Sequence, residues 1–351
     1  MTVSPVELGH SEDGQITRLR EQPRRSYVSS DVARLDRHAV WRKKFRSDVR
    51  RWIALYDLVG QRDGYLWQWC LHGIELTTLP CVDREWFDRL CDLKLLSVIV
   101  CVLLDDVADC GEPEGWLSAL LELCGQSPLR PNRDFAMSTE SPSAHELKHL
   151  ETVRQLWEDY ESGVASLPQF ETFEPVWRFD LSQFFNAMKY GHLANRYRGL
   201  LNPTEHDVYS PHNMLMVSFG TLDLMASPTM PDGELGALRE AIWHAQAMGR
   251  IGNVLSTWRR EVAVRDFTGG IFSRAIRSGV LTADDLAKLS GKELEKRIRN
   301  SGMEAELLTK WERHRSCFQS AANQISAIDM EQLLSGHDRF LEMHLQSTGL
   351  I

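Results

Sequence analysis

No apolar run in this chain of 351 residues reaches the eighteen that a transmembrane helix requires. The formal net charge is −9, so the chain also lacks the basic surface expected of a nucleic-acid-binding protein. Its seven cysteines show no CxxC spacing. Together with the absence of a signal peptide, they are typical of a reduced protein. We therefore expect a cytoplasmic protein without a membrane span or a nucleic-acid partner.

Several motifs of nucleotide binding and hydrolysis are missing as well. The sequence contains no glycine-rich phosphate loop of the GxxxxGK[ST] or GxGxxG kind, no HExxH zinc motif and no GxSxG nucleophile elbow. Any phosphate group that this protein binds must therefore be held by metal ions and arginine side chains.

Helical periodicity dominates the chain from His38 onward, with breaks at proline and glycine. No alternating strand pattern persists and no repeat of fixed period occurs. The sequence predicts an all-α fold with one helical domain over residues 38–351, after a polar, mobile leader over residues 1–37. The proline-containing stretch from Gly125 to Ser143 predicts a long surface loop. The predicted helices are 38–60, 63–76, 83–109, 114–124, 143–165, 175–200, 207–226, 233–265, 269–278, 282–300, 302–327 and 329–346.

The first acidic cluster is Asp105, Asp106 and Asp109, in the order DDVAD. It follows a run from Leu95 to Leu104 that only one serine interrupts, and a helix that is apolar all round is a buried helix. Carboxylates delivered into the interior repel one another and lose hydration, which costs roughly several kcal/mol each unless cations neutralise them. Mg²⁺, which prefers oxygen ligands, is the natural partner.

The second cluster, Asn253, Thr257 and Glu261, has a spacing that keeps three side chains on one stripe of an α-helix. Upstream the same stripe is apolar, for example at Leu238 and Ile242, so the polar trio is expected to face inward. An amide, a hydroxyl and a carboxylate at one-turn intervals can ligate one Mg²⁺.

Arg250 and Arg260 flank the second cluster and are candidates to bind a phosphate. The two clusters together indicate a magnesium-diphosphate site. The alternative is that the first cluster is a solvated helix end and the second an ordinary exposed face.

The order and helical setting of these motifs resemble the class I terpene synthases, over His38 to about Gln346. In that family the DDxxD and N-x3-S/T-x3-E motifs face each other across a helical bundle with a central apolar cavity, and they hold three Mg²⁺ ions on a prenyl diphosphate. The resemblance implies that Asp105 and Asp109 ligate metal with support from Asp106, that the second motif holds another ion, and that Arg250 and Arg260 contact the diphosphate. Arg339 and Phe340 stand where the family has an Arg-Tyr pair, so Arg339 is a further candidate diphosphate donor.

One departure concerns the arginine that senses diphosphate in microbial members, about forty residues before the second motif. Here the corresponding stretch contains His212 and Asn213, a pair similar to that of bacterial kaurene synthase-like enzymes, which take a bicyclic diterpene diphosphate. Arg196 or Arg198 is a candidate substitute, although both also fit exposed residues near a helix end.

A DxDD string of the kind that class II cyclases use is absent. A separate class II cyclase would therefore have to supply a bicyclic substrate, and a homodimer is compatible with the resemblance.

The implied activity is that of a class I diterpene synthase, which ionises a C20 prenyl diphosphate of the copalyl or geranylgeranyl type and rearranges the cation. Aromatic faces can stabilise such a cation. The candidates, for each of which core packing is the better explanation, are Trp67, Trp86, Phe184, Phe185 and Phe219. The alternatives are a sesquiterpene synthase acting on farnesyl diphosphate, a chain-elongating prenyltransferase, and a helical scaffold whose acids face water.

Overall fold

The computed structural model describes residues 45–60, 62, 64–109, 114–125 and 143–349. The predicted leader and most of the predicted proline-containing loop fall outside these residues, as does the side chain of Asp109. The described part consists of α-helices, two short 3₁₀ segments and turns, and it contains no strand. The all-α prediction is therefore confirmed. Within the same residues, no helix has the length and apolar character needed to cross a membrane.

The described part of the chain contains fourteen α-helices. The first seven are α1 (Ser47–Tyr56), α2 (Gly64–Thr77), α3 (Arg84–Asp109), α4 (Glu114–Leu123), α5 (Ala144–Ala165), α6 (Phe170–Arg196) and α7 (Pro203–Tyr209). The next seven are α8 (Met216–Met225), α9 (Asp232–Val264), α10 (Gly270–Arg277), α11 (Ala283–Lys288), α12 (Gly291–Asn300), α13 (Met303–Ala322) and α14 (Met330–Gln346). The 3₁₀ segments are Arg198–Leu200 and Ser210–Met214.

Helix α3 lies in the main apolar core and packs against α1, α2, α5 and α6. Leu95, Leu96 and Ile99 are fully buried on its different sides, as the apolar run predicts. Deep in this core, the Lys94 ammonium lies 2.5 Å from the Asp223 carboxylate of α8, and both side chains are 1% exposed. Asp105 and Asp106 therefore follow directly on the buried part of α3 and lie near its C-terminal end.

Helix α9 is the longest described helix and packs most extensively against α13, with further contacts to α14 and α8. Leu238, Ile242 and Ala245 are buried along the stripe that leads to the second motif. This confirms that the face bearing Asn253, Thr257 and Glu261 is turned into the protein.

The prediction of one continuous helix over 207–226 is wrong, because the structure divides this segment. Helix α7 ends at Tyr209, a 3₁₀ segment containing Pro211 follows, and α8 begins only after Leu215. Leu215 has a left-handed backbone with φ 57°, a conformation that costs a non-glycine residue roughly 1 kcal/mol or more. Its side chain is 4% exposed, so burial of the leucine offsets the strain.

Other predicted boundaries also differ from the structure, and two of them are instructive. The predicted helix over 282–300 is two helices, because Ser290 forms a capping box with Glu293 that starts α12. The predicted start at residue 175 is also wrong, since α6 begins at Phe170 and includes Pro175. Neither difference moves a predicted site residue.

Candidate functional site

Asp105 and Asp106 lie half-buried near the end of α3. The Arg62 guanidinium donates a hydrogen bond of 3.0 Å to Asp106, which makes Asp106 an ion-paired, supporting carboxylate. Burial raises the pKa of Asp105 to about 6 against the lowering effect of Arg62, and the neighbouring charges of Asp106 and Asp266 raise it further. Asp105 is therefore a carboxyl group whose charge lacks full compensation.

The second motif is linked by hydrogen bonds along α9. Thr257 Oγ1 donates to the Asn253 backbone carbonyl at 2.9 Å and to Glu261 Oε1 at 2.6 Å. The Asn253 side-chain oxygen accepts from Arg250 at 2.7 Å. Thr257 and Glu261 are 3% and 5% exposed, so these oxygens are presented to the interior, as the sequence predicts.

Glu261 is the one carboxyl group of this motif, and its pKa is strongly raised. Burial raises its pKa to about 7, the charge of Asp266 adds to the rise, and Arg250 opposes it. Glu261 Oε2 is buried and has no hydrogen-bond partner among the described residues. Gly269 approaches so closely that a Cβ there would lie 2.5 Å from this oxygen. A buried carboxylate oxygen without a partner is the kind of atom that a cation stabilises.

Asp266 is a third acidic residue of the site, and the sequence analysis missed it. Helix α9 ends at Val264, and the next residue, Arg265, has a left-handed backbone (φ 64°) that turns the chain so that the Asp266 amide donates to the Glu261 carbonyl at 3.0 Å. The Asp266 side chain is 7% exposed, and its charge acts on both Asp105 and Glu261. The only available signal was an acid soon after a helix end, which is too common to single out.

Arg250 joins the two motifs. It lines a small cavity together with Asp105, Asn213 and Thr268. Its charge lowers the pKa of both Asp105 and Glu261, so it lies within electrostatic reach of each wall. The structure therefore brings Asp105 of α3 close to Arg250 of α9, the helix that also carries Glu261, although the two helices are far apart in sequence.

The break before α8 places the predicted His212–Asn213 pair beside α9. Gln246 of α9 accepts a hydrogen bond from the Val217 amide at 3.1 Å, and its amide nitrogen lies 3.2 Å from His212 Nδ1. Gln246 thus satisfies a free amide at the start of α8 and holds the pair in place. Asn213 lines the cavity with Arg250, and its buried side-chain oxygen has no hydrogen-bond partner among the described residues.

The predicted aromatic residues belong mainly to the core. Trp67 is fully buried edge-on against Tyr56, with ring centroids 4.7 Å apart. Phe184 and Phe185 pack against each other at 4.9 Å. None of these rings lines the cavity shared by Asp105 and Arg250.

Two further aromatic candidates lie farther along the bundle. Phe219 has the Lys94 ammonium 5.5 Å above its ring and belongs to the buried core. Trp86 is half-buried on α3, nineteen residues before Asp105, which places it about 28 Å away along the helix axis. The structure therefore separates Trp86 from the acidic cluster.

The arginine candidates differ in their positions. Arg260 lies half-buried beside Glu261 and lowers its pKa, although burial and Asp266 together outweigh this effect. Arg339 is exposed, and in the described part of the chain no hydrogen bond or ion pair joins it to either motif. Arg198 lies 5.1 Å over the Phe267 ring, next to Asp266, whereas Arg196 is exposed over Tyr197. Arg198 therefore packs against the segment that follows α9.

The donor set suits Mg²⁺ in its chemistry. In the described residues, no group of three or more His, Cys, Asp or Glu side chains is close enough to hold a metal ion. The buried, unpartnered oxygens of Glu261 and Asn213 are nevertheless hard ligands of the kind that Mg²⁺ prefers. The raised pKa values of Asp105 and Glu261 indicate carboxyl groups that a divalent cation would stabilise in their charged form.

No family model matches this chain, and no curated protein matches its sequence. Among solved structures, the chain is similar to a linalool/nerolidol synthase from Streptomyces clavuligerus, crystallised with 2-fluorogeranyl diphosphate. The two chains are 16% identical, the match covers 85% of this chain and 95% of that one, and the TM-score is 0.49. A likeness at this level assigns no activity, so the case for a function rests on the residues of the site.

Proposed function

We propose that this protein is a Mg²⁺-dependent class I terpene synthase that ionises a C20 prenyl diphosphate and releases inorganic diphosphate. The observation that supports this most strongly is the convergence of Asp105, Glu261 and Arg250 from two distant helices on one buried cluster. The favoured substrates are a copalyl-type bicyclic diphosphate, in keeping with the His212–Asn213 pair, or geranylgeranyl diphosphate.

The chain's own residues would divide the work between binding and charge stabilisation. Asp105 and the Asn253, Thr257 and Glu261 set would hold Mg²⁺, with Asp106 kept in place by Arg62. Bound Mg²⁺ supplies electrostatic stabilisation of the departing diphosphate. Arg250 would bind phosphate oxygens where negative charge develops as the carbon–oxygen bond breaks.

Closure of the two walls is part of this proposal. Among the described residues, no three His, Cys, Asp or Glu side chains are grouped closely enough to hold one ion, so ligand binding would draw the end of α3 towards α9. The loop from Asp266 to Gly269 adjoins both walls and is the segment that would adjust. Such closure would exclude water from a cation that water quenches at once.

The direct test is incubation of the purified protein and Mg²⁺ with copalyl, geranylgeranyl and farnesyl diphosphates in turn, with gas chromatography and mass spectrometry of the extracts. We expect a terpene product from a C20 substrate. Product from farnesyl diphosphate alone would indicate a sesquiterpene synthase, and a C5-extended diphosphate after addition of isopentenyl diphosphate would indicate a prenyltransferase.

Two alanine variants test the residues. Asp105→Ala and Glu261→Ala should each abolish product formation and leave the unfolding transition cooperative. Near-normal turnover by either variant at saturating Mg²⁺ would show that the site assignment is wrong.

A further inference from the structure

Tyr190 brings a phenol from α6 into the cavity that Asp105, Asn213 and Arg250 line. It belongs to neither sequence motif. Its ring packs against Tyr209, with centroids 5.3 Å apart and an interplanar angle of 41°, and this contact holds the ring in one orientation. Tyr190 therefore forms part of a third wall of the cavity, apart from α3 and α9.

The Tyr190 hydroxyl is buried and has no hydrogen-bond partner among the described residues. Arg250 Nε is also buried and has no hydrogen-bond partner among the described residues, although another nitrogen of the same guanidinium donates to the Asn253 side chain. Leaving such groups unsatisfied costs about 1–3 kcal/mol each, and native proteins retain few of them without a functional reason. Two such donors line one cavity here, which indicates an acceptor that binds between them.

The chemistry of the two groups defines that acceptor. Burial raises the pKa of Tyr190 to about 12, so the phenol keeps its proton near neutral pH and acts as a donor. A guanidinium can only donate. Two donors on different helices, one of them charged, suit an oxyanion. Because Asp105, Glu261 and Asp266 would repel a free anion, it must enter together with divalent cations.

We propose that the Tyr190 hydroxyl and Arg250 Nε donate hydrogen bonds to oxygens of the substrate's diphosphate group. This inference rests on the proposed function and adds to it a binding residue on α6. The Tyr190 hydroxyl has no hydrogen-bond partner among the described residues and would gain one when the substrate and Mg²⁺ bind.

The test compares Tyr190→Phe with Tyr209→Phe. Both substitutions remove one hydroxyl and keep the ring stack, and Tyr209 is an exposed neighbour that lies outside the cavity. Isothermal titration calorimetry with inorganic diphosphate, at saturating Mg²⁺ and without Mg²⁺, gives the affinity. Thermal unfolding of the metal-free proteins gives the stability.

We expect Tyr190→Phe to raise the Kd for inorganic diphosphate at least about tenfold, as loss of a hydrogen bond to a charged acceptor implies. The Tm of metal-free Tyr190→Phe should equal or exceed that of the wild type, because a buried unsatisfied hydroxyl has been removed. Tyr209→Phe should leave the Kd unchanged.

Three results would overturn the inference. An unchanged Kd in Tyr190→Phe would mean that the hydroxyl does not contact the diphosphate. A lowered Tm together with weaker binding would show that the hydroxyl is structural. Failure of the wild type to bind diphosphate in the presence of Mg²⁺ would overturn the proposed function as well. If the wild type binds and Tyr190→Phe has the same Kd, this inference alone is wrong.

Discussion

Glu261 determines much of how the metal-free site responds to pH. Its pKa rises from 4.5 to about 7 because the carboxyl group is buried beside Asp266. A carboxyl group whose pKa is raised on folding stabilises the fold while it is protonated, below its unfolded pKa. This stabilisation is lost as the pH rises through about 7. The metal-free protein should therefore lose stability between about pH 5 and pH 8, and Mg²⁺ with diphosphate should restore it.

Glu261→Gln tests this prediction because glutamine keeps the shape and removes the titration. At pH 8 the metal-free variant should be more stable than the wild type by about 3 kcal/mol, and at pH 5 the difference should fall below about 1 kcal/mol. Urea denaturation at the two pH values measures it. Glu240→Gln, on the exposed face of the same helix, is the matched control. Equal stability of Glu261→Gln and wild type at pH 8 would contradict the assignment.

Among individual residues, sequence reasoning succeeded where a regular helix fixes the direction of a side chain. The spacing of Thr257 and Glu261 placed both on the buried face of α9. It failed for Asp266 and Tyr190, because their roles depend on a left-handed turn and on the packing of α6. Arg339 lies exposed on α14, and its role as a diphosphate donor stays a prediction.

At the scale of elements, the segment that follows α9 controls the approach to Glu261. Gly269 has a backbone conformation that any residue can adopt (φ −61°). A larger residue is therefore disfavoured here by its contact with Glu261 and not by backbone strain. A Cβ at Gly269 would lie 2.5 Å from Glu261 Oε2. The loop therefore packs directly on the carboxylate.

Gly269→Ala should displace the Glu261 carboxyl group and raise the Kd for Mg²⁺-diphosphate roughly tenfold, with a stability loss of about 1 kcal/mol. The matched control is Gly236→Ala in the first turns of α9, where a Cβ meets no atom within 4 Å. That change should stabilise the protein by about 0.5–1 kcal/mol through helix propensity. Calorimetry and thermal unfolding give both quantities, and unaltered binding in Gly269→Ala would exclude the contact as a determinant.

A buried ion pair between Lys94 and Asp223, outside the candidate functional site, is expected to contribute to the stability of the whole molecule. Lys94 of α3 contacts Asp223 of α8 and donates to Thr78 at 2.9 Å, while the Leu79 amide donates to Asp223 at 3.0 Å. Three segments thus meet at two fully buried charges. Removing one partner leaves the other charge uncompensated.

Lys94→Met should destabilise the protein by about 3–5 kcal/mol, whereas the double variant Lys94→Met/Asp223→Leu should recover much of that loss. Denaturant unfolding of the single and double variants gives the coupling energy. A small loss in Lys94→Met would mean that the pair contributes little to the assembly of the bundle.

The sequence by itself determined the all-α fold, the burial of α3 and the inward face of α9, because these follow from local periodicity and from the solvation cost of apolar surface. Only the tertiary structure decided which distant groups meet: Arg62 with Asp106, Asp266 with Glu261, and Tyr190 with Arg250 at one cavity. Such meetings depend on where helices end and how they pack, and no spacing along the chain encodes them. The division of the predicted 207–226 helix at Leu215 has the same origin, since long-range contacts such as that between Gln246 and Val217 hold a local conformation that propensity disfavours.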